Sequence, residues 1–125
     1  MPRERILIVD DSAVVRTLHS YILRAAGFVT VEAEDGFAAL ETLHRDPCNL
    51  ALVDINMPHM DGLTLTRRIR ADSTTKDMPI IIVSTEMEET DRCKGFEAGA
   101  NVYIVKPSEL RDLVDKVHML LGAAH

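Results

Sequence analysis

Ile6-Leu7-Ile8-Val9-Asp10-Asp11, close to the start of the chain, is an apolar tetrad that stops abruptly at two acids. The construction returns as Leu50-Ala51-Leu52-Val53-Asp54, Ile80-Ile81-Ile82-Val83-Ser84 and Val102-Tyr103-Ile104-Val105-Lys106. A half-buried strand alternates apolar and polar side chains, whereas a continuous apolar run of this length reads as a strand buried on both faces of a parallel sheet. Ligands of such sheets bind beyond the carboxyl ends of the strands. The pattern therefore predicts that Asp10, Asp11, Asp54, Ser84 and Lys106 converge on one crevice.

Helical patterns fill the intervals. After the first strand, Val14, Leu18, Ile22 and Ala25 recur at helical spacing, with Asp11 or Ser12 placed to cap the start and Gly27 to close the end. Val29 to Ala33 alternates and predicts a second strand, at an edge. Asp35-Gly36 turns into a short helix on Ala39, Leu40 and Leu43. Asp61-Gly62, after a loop with Pro58, opens a helix carrying Leu65 and Ile69, and a polar stretch leads through Pro79 to the next tetrad. The segment Glu88 to Ala98 is the weakest helix. Its apolar side is Met87, Cys93 and Phe96, Gly95 costs it about 1 kcal/mol relative to alanine, and Gly99 is its cap. The last helix uses Leu110, Leu113, Val114, Val117, Leu120 and Leu121. The sum is one α/β domain over residues 1–125, a doubly wound (βα)5 fold with a five-stranded parallel sheet. The chain stops within a few residues of its last helix, so no output domain is expected.

Composition agrees with a single globular unit: 125 residues, 46% hydrophobic and 27% charged. A formal net charge of −6 argues against nucleic-acid binding, which needs a basic surface. Arg67, Arg68 and Arg70 cluster, and are expected to form a solvated helix face. Cys48 and Cys93 lack metal-ligand spacing and are expected to be small buried or half-buried side chains in a reducing, cytoplasmic setting. No targeting peptide and no apolar run of membrane-spanning length is evident.

Three carboxylates in one crevice repel one another unless a cation joins them. Mg²⁺ suits the set, being a hard ion held by one or two carboxylates, waters and a phosphate. With Lys106 supplying a mobile positive charge and Ser84 a hydroxyl, the crevice is fit to hold a phosphoryl group, and a remaining carboxylate can attack to form an aspartyl phosphate. Each residue alone has an ordinary structural use. Asp10-Asp11 serves as a helix cap, Asp54 as a loop acid, Ser84 as a strand-end hydroxyl, Lys106 as a solvated lysine and Tyr103 as a buried aromatic. Their joint occurrence at the ends of four strands is what points to function.

At these residues the chain resembles the response-regulator receiver domain family. The resemblance is carried by Ile8-Val9-Asp10-Asp11-Ser12, by Val53-Asp54-Ile55-Asn56-Met57-Pro58-His59-Met60-Asp61-Gly62, by Ser84, and by Tyr103-Ile104-Val105-Lys106-Pro107, and it spans essentially the whole chain. It looks most like the single-domain chemotaxis regulators of the CheY type, which implies a flavodoxin-like fold. The implied activity is that of a two-component phosphorelay switch rather than an enzyme acting on a separate substrate. Asp54 would accept a phosphoryl group from a phosphohistidine on a sensor histidine kinase or phosphotransfer protein. Asp11, Asp54 and the backbone carbonyl of Asn56 would bind Mg²⁺, with Asp10 acting through water. Lys106 would pair with the phosphoryl oxygens, Ser84 would move toward them, and Tyr103 would turn inward. The surface of the last two helices and fifth strand would then change its affinity for a downstream protein target.

Two departures from the family pattern matter. Thr85 stands where the family usually has a small residue, Ala or Gly, and its branched side chain is expected to slow phosphorylation from small donors. After Lys106-Pro107 the run Ser108-Glu109-Leu110 starts the last helical period early, which implies a reshaped output surface. Asn56 and Glu86 occupy positions that modulate dephosphorylation in the family, opposing Thr85. Two other readings use the same residues: a phosphate sink or unphosphorylated scaffold, and a Mg²⁺-dependent phosphatase of the haloacid dehalogenase type. The latter places its nucleophile first in an Asp-x-Asp, whereas here Asp10 and Asp11 are adjacent and Ser12 follows. Oligomeric state is left open by the sequence.

Overall fold

The computed structural model describes residues 3–85, 88–106 and 110–122. Strands and helices alternate as β1 (Arg5–Val9), α1 (Ala13–Ala25), β2 (Val29–Ala33), α2 (Gly36–Arg45), β3 (Leu50–Asp54), α3 (Gly62–Ala71), β4 (Ile80–Ser84), α4 (Glu89–Ala98), β5 (Val102–Val105) and α5 (Leu110–Leu121). All four strand pairings are parallel and the sheet order is β2-β1-β3-β4-β5. This is the doubly wound, flavodoxin-like order, which reverses direction between β1 and β3 and opens a crevice there.

The apolar tetrads are strands because they are covered on both sides. Every residue of β3 and β4 is buried, while the edge strand β2 buries only Thr30 and Ala33 and does not follow the strict alternation its sequence suggests. On one face Leu7, Val9, Ala51, Val53, Ile80 and Ile82 pack against Ala39 and Leu43 of α2 and Leu65 and Ile69 of α3. On the other, Ile6, Ile8, Leu52, Ile81 and Ile104 pack against Leu23 of α1 and Leu113 and Val117 of α5. Each fully buried Leu, Ile or Val among them contributes about 1.5–3 kcal/mol.

Three local expectations are corrected. In α1 the helix is as expected but its face is not: Val14 and Leu18 are 79% and 47% exposed and Ala25 is exposed, while Ser20, Ile22 and Leu23 are buried. Ser20 is accommodated by a hydrogen bond of 2.6 Å to Thr30 across the α1–β2 contact. In α4, Cys93 and Phe96 are exposed and the buried residues are Gly95 and Ala98; Met87 lies outside the described residues. The basic cluster divides, with Arg67 and Arg68 exposed while Arg70 turns inward. Cys48 is half-buried as expected, and burial raises its thiol pKa. Among the described residues no helix is long and apolar enough to cross a membrane.

Candidate functional site

The site is built where β1, β3, β4 and β5 end. Asp54 and Ser84 are the last residues of their strands, and Asp10 and Lys106 follow theirs by one. Asp10, Asp54 and Ser84 are buried (3%, 7% and 0% exposed), whereas Asp11 faces solvent. Neither acid of the Asp10-Asp11 pair caps α1. Ser12 does, accepting from the Val15 amide at 3.3 Å, while Asp10 Oδ1 accepts from the Ser12 amide at 2.9 Å. That short turn fixes the Asp10 carboxylate toward the interior.

Lys106 ties the acids together. Its Nζ donates to Asp10 Oδ2 at 3.0 Å and to Asp54 Oδ1 at 3.1 Å, and its backbone amide donates to the Ser84 carbonyl at 2.7 Å. One oxygen from each of Asp10, Asp11 and Asp54 lies within 4.8 Å of the others. Burial, then the charge of Asp10, raises the Asp54 pKa above its usual value, with Lys106 opposing. Burial pulls the Lys106 pKa down, but its hydrogen bonds and attraction to Asp10 and Asp54 outweigh that and raise it.

The residues present fit a divalent hard cation. All three side-chain donors are carboxylate oxygens, the ligand type of Mg²⁺ rather than of a soft metal. Three carboxylates against one ammonium leave a formal charge of −2. A hard divalent cation held there would offset that charge.

The loop after β3 is shaped by two features that the sequence pattern did not reveal. Gly62 starts α3 so close to β3 that a Cβ there would lie 2.2 Å from the Asp54 carbonyl oxygen. His59 takes φ = 70°, in the left-handed region that L-residues rarely occupy. Arg16 was also missed: its guanidinium donates to the Asp10 carbonyl and pairs with Glu32 at 3.4 Å. The Asp-Gly at 61–62 signalled a helix start, but not how closely two backbones would approach.

Asn56 is exposed two residues beyond Asp54, and Thr85 is exposed directly beyond Ser84. Glu86, Pro107, Ser108 and Glu109 lie outside the described residues. Tyr103 is buried, 7% exposed. Its ring lies below α4, where a Cβ on Gly95 would meet Tyr103 Cδ2 at 3.0 Å, and the Arg92 guanidinium stands 5.8 Å from the ring centroid.

Comparison with known proteins follows the same lines. The sequence model of the response regulator receiver domain matches residues 6–118. The chemotaxis protein CheY of Pseudomonas aeruginosa is 38% identical over 117 residues, covering 93% of this chain and 94% of that one. The phosphate regulon transcriptional regulatory protein PhoB of Escherichia coli is 34% identical over 117 residues, and the match covers 94% of this chain and 51% of PhoB. Among solved structures, the receiver domain of the sensor histidine kinase PA1611 from Pseudomonas aeruginosa superposes with a TM-score of 0.89 at 30% identity. It covers 97% of this chain and 99% of that one, and carries a magnesium ion coordinated in its active-site cleft.

Proposed function

The chain belongs to the response regulator receiver domain family, and from that premise we propose that Asp54 is its phosphoacceptor and that phosphorylation switches its binding to a protein target. A receiver of a two-component response regulator is a signalling module, and the roles below are our reading of this one. The observation that carries it is the convergence of Asp10, Asp11, Asp54 and Lys106, from three strand ends, on one partly buried pocket.

The chemistry follows from the environment of each group. A carboxylate oxygen of Asp54 attacks the phosphorus of a donor phosphohistidine, the P–N bond breaks, and the electron pair leaves on the imidazole, which takes a proton. Burial that raises the basicity of Asp54 also makes its ionised form a better nucleophile. Lys106, 3.1 Å from Asp54, is placed to follow negative charge onto the phosphoryl oxygens. Asp11, Asp54 and the Asn56 carbonyl would hold Mg²⁺. Asp10 would act through water, consistent with its two oxygens already accepting from Ser12 and Lys106. When bound, the cation neutralises the acids and the transferring phosphoryl group.

A phosphoryl group adds about 1.5–2 negative charges beside Ser84 and Lys106, enough to reorder nearby donors. Ser84 ends β4 and α4 follows it, so a shift of the hydroxyl is passed to Tyr103, Gly95 and Arg92, which pack together. The face of α4, β5 and α5 is the proposed output surface. The near end-to-end match to CheY supports a chemotaxis-type, single-domain cytoplasmic regulator served by a sensor histidine kinase or phosphotransfer protein. Intact-mass spectrometry after incubation with acetyl phosphate and Mg²⁺, and with a panel of phosphorylated histidine kinases, tests this reading. One added phosphoryl group on wild type and none on Asp54→Ala is expected. Wild type unmodified by every donor would overturn it.

A further inference from the structure

The two ends of α4 are held very differently. At its start Glu88 makes no side-chain capping bond, although Asp91 and Arg92 donate backbone amides to its carbonyl. The first turn carries Glu89 and Asp91, and along its length the helix buries only Gly95 and Ala98. A helix whose leading amides lack a side-chain cap is less firmly held at that end.

Its far end is pinned. Gly99, at φ = 117°, closes the helix with its amide on the Phe96 carbonyl, and the Ala100 amide returns to the Gly95 carbonyl. The Gly99 carbonyl then accepts from Arg70 Nε at 2.9 Å. The same guanidinium donates through Nη1 to the Met78 and Lys76 carbonyls at 2.6 and 3.1 Å, and through Nη2 to Asn101 Oδ1 at 2.8 Å. Asn101 Oδ1 also accepts the Ile80 amide at 2.9 Å, and the Asn101 amide reaches the Ile80 carbonyl at 2.8 Å. One planar fork thus joins the end of α3, the entry to β4 and the exit of α4. Hydrogen bonds donated by a charged group are stronger than neutral ones, and the geometry depends on a rigid guanidinium that lysine cannot imitate.

We propose that α4 is hinged at its C-terminal end, with Arg70 and Asn101 as the pin, so that switching swings the N-terminal turn while Gly99 stays in place. Ten residues of helix span about 15 Å, so a tilt of about 10° about Gly99 moves the first turn by about 2.5 Å. The pin lies at the opposite end of the sheet from Asp54, and it confines the motion to the end of α4 nearest the phosphoacceptor. The trigger rests on the function proposed above; the unequal anchoring does not.

Amide hydrogen exchange by NMR tests both parts. In the unmodified wild type, amides 99–101 are expected to exchange at least tenfold more slowly than amides 89–92. In Arg70→Met, amides 99–101 should accelerate at least tenfold beyond any change at Leu7 and Leu52, which report global stability. Arg70→Lys, the milder variant, should move the same amides in the same direction. Equal exchange at both ends of α4 in wild type, or less than twofold change at 99–101 in both variants, overturns the hinge. With beryllium fluoride as phosphoryl mimic, amides 89–92 should change at least tenfold and 99–101 less than twofold. A uniform change along α4 also overturns the hinge. No response anywhere, together with no mass adduct, counts against the phosphoacceptor reading, and the basal comparison still decides the pin.

Discussion

Gly62→Ala is the sharpest test of how this fold holds its phosphoacceptor. The added Cβ would sit 2.2 Å from the Asp54 carbonyl oxygen and 2.9 Å from both the Asp54 carbonyl carbon and Ile55 Cα. Ordinary contact begins near 3.4 Å, so β3 and the start of α3 must part by about 1.2 Å. Both sides of that contact are backbone, and separation stretches the Gly62 amide bond to the Ile55 carbonyl, now 2.8 Å. Overpacking of this kind costs about 3 kcal/mol at the upper end of its usual range. Alanine returns at most about 1 kcal/mol in helix propensity, leaving a net loss of about 2 kcal/mol. For a chain of this length that is a fall of about 6–10 °C in Tm. Urea and thermal denaturation measure it, and intact-mass time courses follow phosphorylation, which should slow because the displaced carbonyl belongs to Asp54 itself. Gly36→Ala is the control: its Cβ approaches Met60 Sδ at 2.6 Å, but these are atoms of a flexible side chain, and a loss below about 1 kcal/mol is expected. If Gly62→Ala were as stable as wild type and phosphorylated as fast, the close approach would not be what sets α3 against β3.

Asp54→Asn should stabilise the protein at pH 7. Burial and Asp10 raise the native pKa of Asp54, so the native state holds that proton more tightly than the unfolded chain. Its favourable contribution is complete below the ordinary carboxylate pKa and is lost as pH rises through the native value. The advantage of Asp54→Asn in urea unfolding should therefore shrink on acidification toward pH 4, and Mg²⁺ should narrow it at pH 7. A less stable Asp54→Asn at pH 7 would show that the Lys106 ion pair outweighs burial. Thr85→Ala should accept phosphoryl groups from acetyl phosphate several-fold faster, and equal rates would remove the steric role assigned to Thr85. His59→Gly relieves a left-handed residue at some cost in chain entropy, so a gain of about 0.5 kcal/mol with unchanged phosphorylation is expected. A loss of stability would show that the imidazole makes a compensating contact.

Much of this molecule is legible in its sequence because the strongest signals are local. Four apolar tetrads can be stable only if covered on both faces, and the polar residue after each one is carried to the same edge of a parallel sheet. The caps at Ser12, Asp35 and Asp61 and the left-handed glycines at 27 and 99 need only their neighbours, and they mark where the helices begin and end. Tertiary structure decided what depends on which surfaces meet. In α1 the series Val14, Leu18 and the set Ile22, Leu23 both show helical spacing, and only docking on the sheet selects which is buried. Arg70 reads as one of three exposed arginines until Gly99 and Asn101 arrive beside it from about thirty residues away. Gly95 costs helix propensity for no local reason, and its reason is the Tyr103 ring beneath it. Propensity and periodicity are properties of a segment, whereas close approach and the direction of a long side chain belong to pairs of segments, and those pairs exist only once the chain has folded.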